Sequence, residues 1–217
     1  MNLSTNFYIE GYNLAIENAN SLFKIATKAA EENEFGVACS LNILSTEEAI
    51  KAVFLIVKHH YPDSQIEDFE EIFKDHKIKH KNLKYFLESS KQFVDDISKM
   101  YSLFLKVESL GNFLPAKRQE ELREEFSDIH YHGQRITELK KNEIILAKTL
   151  NWLDNANTDK NNGLYIGKKK NVWLTPKSFT NKKYEKEKKY SEAIINHAVE
   201  LNEILKAIEG YSTKNLR

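Results

Sequence analysis

Hydrophobic residues recur every three or four positions over most of this chain, which is the spacing of one face of an α-helix. From Leu3 to about Asn33 no proline interrupts the pattern, which predicts one long amphipathic helix. A second helix is predicted from about Phe35 to His60, where it stops because a residue before Pro62 disfavours helical backbone. This second helix is apolar around most of its circumference, so we expect it to lie at the centre of the fold.

The remaining pattern predicts further helices and one small hairpin. The helical segments are Asp63 to about Phe104 with one break, Ala116 to Ser127, Ile136 to Leu153 and Asn181 to Gly210. We expect Asp63 to cap the first of these helices and Gly210 to end the last. Leu164–Ile166 and Val172–Leu174 flank a Gly-Lys-Lys-Lys-Asn turn, which predicts a hairpin or ordered loop near residues 163–176. The predicted fold class is all-α, a bundle of long antiparallel helices in one domain of residues 1–217.

Composition agrees with a helical globular chain. Only seven Gly and three Pro occur in 217 residues, and 41% of the residues are hydrophobic while 29% are charged. The sequence has neither a signal-peptide pattern at its start nor an apolar run long enough for a membrane span, so we expect a cytoplasmic protein without a membrane partner. The single cysteine, Cys39, lies in an apolar stretch and is expected in the core.

The formal net charge is zero, which argues against the overall positive field of a typical nucleic-acid-binding protein. Lysines are nevertheless concentrated in three runs, at residues 74–84, 168–170 and 182–189. Each run alone is more typical of a solvated surface than of a binding site.

Charged residues of the second helix lie within one arc of its surface. Glu47 and Glu48 precede Lys51 by four and three residues, so the lysine can pair with either carboxylate. The other carboxylate then needs a second cationic partner wherever it is buried. Leu44 and Leu55 on the same arc argue against free exposure, and the alternative is an exposed ion pair on a polar stripe.

The third region predicts a row of side chains on one face of a continuous helix. Its members are Phe69, Phe73, His76, His80, Leu83 and Leu87. A half-buried histidine needs a hydrogen-bond partner, and the carboxylates of Glu47 and Glu48 are candidates. We therefore predict that Glu48, Lys51, His76 and Lys79 form one connected site facing a cleft, with Glu47 and His80 beside them.

Two other interpretations of the histidines stay open. Both can be structural groups whose hydrogen bonds are satisfied within the core. The spacing of His76 and His80 would also place two metal ligands on one helix face, but the intervening residues lack the Glu of the zinc-protease motif. We predict neither a metal ion nor another cofactor.

Three segments, in this order, resemble the AbiV family of abortive-infection proteins, which is placed in the HEPN superfamily of helical domains. They are Ser45–Lys51, Phe73–His80, and Gly163–Ile166 followed by Pro176. The resemblance implies a bacterial antiphage role, a HEPN-like helical bundle, a homodimer, and arrest of growth or translation. The positions that match are Glu47, Glu48, Lys51, His76, Lys79 and, more loosely, Tyr165.

HEPN relatives are often metal-independent ribonucleases whose motif is Arg, four to six residues, then His. The only fit here is Arg123 with His130, and Glu124 and Glu125 directly after the arginine depart from a good match. One hypothesis is therefore an RNA-cleaving toxin with His76 as the base, and His80 or the Arg123/His130 pair as alternatives. The other is a non-catalytic binding module that engages a phage protein, as activator or target, or the translation machinery.

Overall fold

The computed structural model describes residues 5–75, 77–85, 115, 117, 148–149 and 151–214. The chain divides into two compact units, one formed by Met1–Lys84 with Leu146–Arg217 and the other by Tyr85–Ile145. Nearly all described residues belong to the first unit, and the following description concerns that unit. A single domain over residues 1–217 stays a prediction.

Helices dominate the first unit, as predicted, and one two-stranded antiparallel hairpin accompanies them. The helices are α1 (Thr5–Glu31), α2 (Phe35–His60), α3 (described over 77–85), α4 (described over 148–149 and 151–164) and α5 (Asn181–Lys214). The hairpin strands are β1 (Gly167–Lys169) and β2 (Val172–Leu174), and short 3-10 turns cover Phe69–Phe73 and Pro176–Ser178. None of the described helices combines the length and apolarity needed to cross a membrane.

Helix α2 is the central element, and both its position and its bounds confirm the prediction. Most of its 26 residues are buried, and α1 and α5 pack against it. Small hydroxyl residues let these helices approach closely: Ser45 Oγ donates to the Ala19 carbonyl of α1 at 2.7 Å. Ser191 Oγ of α5 donates to the Asn42 carbonyl at 3.0 Å. Buried hydroxyls satisfied in this way stabilise the contacts without leaving unpaired polar groups.

The end of α4 crosses the start of α2 at two glycines. A Cβ atom on Gly36 would lie 2.6 Å from the carbonyl oxygen of Pro176 and 2.9 Å from that of Gly163. Ser40 Oγ lies within hydrogen-bond distance of two carbonyl oxygens here, at 2.8 Å from Lys160 and 2.9 Å from Gly36. The segments before and after the hairpin therefore both pack on the first turn of α2.

The prediction that a helix begins at Asp63 was wrong, and the helix predicted to be continuous from Phe69 through His80 is broken at Asp75. Residues 61–68 contain no helix, and Asp68 takes a left-handed conformation with φ of 53°. The cap of α3 is Asp75, whose carboxylate accepts hydrogen bonds from the backbone N–H groups of Lys77 and Ile78, at 2.7 and 3.4 Å. Because an N-cap residue leaves the helical conformation, a new helix begins there instead of continuing from Phe73.

Of the four described members of the predicted row, Phe69, Phe73, His80 and Leu83, only Leu83 is buried. The break at Asp75 changes the register, so the buried side chains of this region are Ile72, Lys79, Asn82 and Leu83. Phe73 is exposed and His80 is half-buried. His76 and Leu87 lie outside the described residues, as do the predicted helical segments over 86–104 and 118–147.

Three boundaries near the C-terminal end differ from the prediction. Helix α4 continues to residue 164 instead of ending at Leu153, and its last residue was predicted to begin a strand. The hairpin is confirmed, but Lys168 and Lys169 belong to β1 and not to the turn. Gly210 does not end α5, which continues to Lys214, because glycine tolerates helical backbone at a cost of only about 1 kcal/mol.

We expect Gly36→Ala to lower the free energy of unfolding by about 1–3 kcal/mol, because the new methyl group meets backbone atoms that cannot move aside. Gly11→Ala in α1 is the matched control, since its nearest neighbour is the end of the Leu55 side chain at 3.2 Å. Alanine also favours the helix there by about 0.5–1 kcal/mol. Urea unfolding measures both variants, and equal stability of the two would contradict the crowded crossing.

Candidate functional site

The most deeply buried charged group in the described unit is the carboxylate of Glu47 in α2. Its Oε1 atom lies 3.0 Å from Nζ of Lys160 in α4, and its Oε2 atom lies 3.6 Å from Nζ of Lys79 in α3. The three side chains are 2%, 8% and 4% exposed, respectively. We call these residues the Glu47 network, and it joins three helices through one carboxylate.

A second ion pair borders the Glu47 network on α2. Glu48 Oε1 lies 2.5 Å from Lys51 Nζ, and the two side chains are 20% and 18% exposed. Lys51 therefore pairs with Glu48, one of the two partners that the sequence allowed. We call these residues the Glu48–Lys51 pair, and their partial exposure leaves them accessible to a ligand while the Glu47 network is enclosed.

The electrostatics of Lys79 connect the two groups. Burial lowers the pKa of the Lys79 ammonium from its ordinary value, because little water remains to solvate the charge. The Glu47 carboxylate opposes this effect on the pKa, the Lys51 ammonium adds to it, and Glu48 opposes it more weakly. The charges of the Glu48–Lys51 pair thus act on a lysine that belongs to the Glu47 network.

The structure brings together four of the predicted site residues: Glu47, Glu48, Lys51 and Lys79. Lys79 contacts Glu47 directly. The sequence predicts Glu47 beside the four-residue site and not within it. His80 follows Lys79 on α3 and is half-buried. His76, Arg123 and His130 lie outside the described residues, so a site that includes any of them stays a prediction.

Sequence reasoning missed Lys160, although a signal for it exists. The predicted helix stopped at Leu153, which left Lys160 in a loop. Continuing the helical period places Lys160 in line with Leu153, Ala156 and Gly163, and all four are buried. A lysine in such a row requires a buried anion, and the sequence already indicated that one of the two carboxylates, Glu47 or Glu48, needs a second cation.

A second buried carboxylate, Glu187 of α5, also escaped prediction. Burial raises the pKa of the Glu187 carboxyl, and Lys183 one turn earlier opposes this shift. Lys183 lies 2.9 Å from Asp159 of α4 and 3.7 Å from Glu187. Cys39 is buried, which confirms the prediction that it lies in the core, and burial together with the neighbouring Glu187 raises the pKa of its thiol.

The chemistry of these clusters does not favour a bound cation. Among the residues that the structure describes, no three His, Cys, Asp or Glu side chains are placed to share a metal ion. The Glu47 carboxylate faces two ammonium groups, which would repel a cation. Lys51 could instead bind an anion, because its ammonium group is partly exposed at the edge of the cluster.

Comparison with known proteins yields one match. The profile of the family described as AbiV, HEPN_AbiV, matches residues 7–196 of the chain. Neither the search of curated proteins nor the search of solved structures gave a match. The matched range contains the Glu47 network, the Glu48–Lys51 pair and the β1–β2 hairpin.

We expect Glu47→Gln to lower the free energy of unfolding by about 3–5 kcal/mol, because it removes the carboxylate that two buried lysines contact. Glu48→Gln is a matched control one residue away, and it should cost at most about 1 kcal/mol since the Glu48–Lys51 pair is partly solvated. Chemical denaturation of both variants tests the difference. Similar losses would mean that the Glu47 network contributes no more than a surface pair.

Proposed function

Because this chain belongs to the AbiV family of the HEPN superfamily, we propose that it is an antiphage abortive-infection effector that arrests growth or translation by cleaving RNA without a metal ion. The observation that supports the proposal is the charged cluster described above. It lies inside the matched range and combines a buried network, which fixes three helices, with a partly exposed lysine at its edge.

Burial divides the roles within this cluster. The side chains of Glu47, Lys79 and Lys160 are too enclosed to meet a substrate, so they act as positioning residues that hold α3 and α4 against α2. Lys51 is the better group for contacting a phosphate, because its side chain reaches solvent. The ammonium group of Lys79 could also attract a phosphate, but its burial favours Lys51.

The proposed reaction needs one base, one cation and an acid. His76 takes the proton of a ribose 2′-hydroxyl, whose oxygen attacks the adjacent phosphorus atom. Lys51 stabilises the negative charge that develops on the phosphate oxygens. The 5′-oxygen leaves with a proton from a protonated side chain or water, and the products carry a 2′,3′-cyclic phosphate and a 5′-hydroxyl. His80 or the Arg123/His130 pair is the alternative source of the base.

We expect purified protein to cleave total RNA equally well with and without a chelator, and His76→Ala to slow cleavage by about 10²- to 10⁴-fold. His59→Gln, at the end of α2, is the control histidine and should cleave normally. The thermal midpoint of His76→Ala should stay within a few degrees, and its expression should no longer arrest cells. Full cleavage by a folded His76→Ala variant would remove His76 from the mechanism.

One observation favours a second candidate function, a non-catalytic binding module. The side chains of the Glu47 network are at most 8% exposed, so their ion pairs can serve to hold the helices together without any catalytic role. In that case the protein engages a phage protein or the translation machinery through its surface. Growth arrest without RNA cleavage by the wild-type protein would select this function.

We also propose that the protein acts as a homodimer. Phe7, Leu14 and Ile25 on the outer side of α1 are 50% to 60% exposed, which is unusual for large apolar side chains on one helix. A two-fold contact would bury the same surface of each copy. This surface is independent of the charged cluster, so assembly and catalysis can be tested separately.

Light scattering at micromolar concentration should give twice the 25.3 kDa mass of one chain. Leu14→Glu should shift the protein to a monomer, because it places a charge in the apolar contact. Tyr61→Glu changes another exposed hydrophobic residue, just after α2, and should leave the mass unchanged. A monomeric wild-type protein would contradict the proposal, and so would a dimer that Leu14→Glu does not affect.

A further inference from the structure

The β1–β2 hairpin and its flanks expose an unusual set of large side chains. Tyr165, Ile166, Val172 and Trp173 are between 62% and 71% exposed. Isolated apolar residues are normal on a protein surface, but four in one short segment are a concentration of the kind that marks interaction sites. Neither the packing of the bundle nor the proposed cleavage chemistry uses them.

Positive charge predominates along the hairpin and its flanks. Between Asn161 and Tyr184 the chain has six lysines and no Asp or Glu, and of these lysines Lys183 pairs with Asp159 and Glu187 of the bundle. Lys168, Lys169, Lys170 and Lys177 are exposed. In a protein whose formal net charge is zero, this segment is a local positive surface and therefore favours an anionic partner.

The strand register places a cation and an aromatic ring on the same face of the hairpin. Lys168 is directly opposite Trp173, and its Nζ lies 5.8 Å from the centre of the indole ring. The next pair, Lys169 with Val172, points to the other face, because successive side chains alternate along a strand. A ligand on the Trp173 face thus meets a flat ring and an ammonium group together.

The turn of the hairpin adds a further lysine at its tip. Lys170 has a positive φ of 53°, a conformation that glycine and asparagine adopt more readily than lysine. The backbone would be less strained with glycine at this position. The tip of the hairpin consequently carries Lys169 and Lys170, with Val172 beside them, while Tyr165 and Ile166 lie at its base.

We propose that this hairpin binds a single strand of RNA, with bases stacked on Trp173 and Tyr165 and phosphates held by Lys168 on the Trp173 face and Lys170 at the tip. Single strands offer both the flat bases and the phosphates that such a surface recognises. The inference rests on the proposed function, since it takes this strand to be the one that is cleaved.

The position of the hairpin fits delivery of a strand to the charged cluster. Gly163, just before the hairpin, packs on Gly36 at the start of α2. Glu48 follows Gly36 by twelve residues of the same helix, a distance of about 18 Å. A few nucleotides of extended strand are enough to cover that length of α2.

Other occupants agree less well with the observations. Insertion of the hairpin into a bilayer would drive the lysines at its tip, Lys169 and Lys170, into hydrocarbon. A second copy packed symmetrically on this surface would bring two groups of lysines against each other. An acidic protein would satisfy the lysines but offers no array of flat rings to match Trp173 and Tyr165.

The test measures binding of the full chain to a fluorescein-labelled RNA of about 12 nucleotides, a length that single-strand-binding surfaces commonly cover. Every ribose of this probe carries a 2′-O-methyl group, so the strand lacks the attacking hydroxyl and remains intact. A duplex of the same sequence and vesicles of phosphatidylserine with phosphatidylcholine are the comparison ligands. Fluorescence anisotropy gives the RNA affinities, and sedimentation gives vesicle binding.

We expect the single strand to bind more tightly than the duplex, and Trp173→Ala to weaken binding about tenfold. Lys170→Gly should also weaken it and should reduce the slope of log affinity against log salt by about 0.7, while the turn becomes less strained. Tyr61→Ala and Lys189→Gln are the matched controls, because they remove an exposed ring and a surface charge from other parts of the chain. Both should bind like the wild-type protein.

Equal binding by Trp173→Ala and the wild-type protein would overturn the inference. Tighter binding to the vesicles than to the RNA strand, lost in Trp173→Ala, would overturn it in favour of a membrane surface. Cleavage of total RNA together with unaffected binding by the hairpin variants would refute the hairpin site alone. Tight, hairpin-dependent binding without cleavage of unmodified RNA would support the hairpin site and refute the ribonuclease proposal.

Discussion

A carboxylate in a helical core is stable only where cations reach it, and the packing of this unit depends on how Glu47 meets that constraint. Lys79 comes from α3 and Lys160 from α4, so one buried anion fixes three helices relative to one another. Neither lysine can be replaced by a neighbour on its own helix without turning that helix. The network therefore specifies which faces of α3 and α4 meet α2, which apolar contacts alone would define less strictly.

The glycine crossing and the second carboxylate place α4 in the same arrangement. Gly36 and Gly163 let the end of α4 approach the first turn of α2. Ser40 Oγ lies within hydrogen-bond distance of one carbonyl oxygen from each helix, those of Gly36 in α2 and Lys160 in α4. Asp159 of α4 meets Lys183, the cation that also faces Glu187 on α5. The consecutive residues Asp159 and Lys160 of α4 thus make polar contacts with α5 and α2, respectively. Both contacts require the same rotation of α4 about its axis.

This arrangement separates positioning from recognition. Charges inside the bundle are satisfied by one another and serve to align helices, whereas the groups that can meet a ligand are at its surface. Lys51 lies at the exposed edge of the charged cluster, and the hairpin displays its lysines and rings beyond the end of α4. The family match covers both the charged cluster and the hairpin. The two regions are connected, because Gly163 and Pro176 hold the base of the hairpin on α2, the helix that carries Glu47, Glu48 and Lys51.

The sequence by itself determined the all-α class, the central α2 with its bounds, the buried Cys39 and the presence of a hairpin, because local periodicity and turn residues specify these features. The sequence also singled out Glu47, Glu48, Lys51 and Lys79 as neighbours. Only the tertiary structure decided that Lys79 pairs with Glu47 and that Lys160 completes the network. Ion pairs between helices depend on helix rotation and on where each helix begins and ends, and the new start of α3 at Asp75 changed that register in a way that periodicity could not reveal.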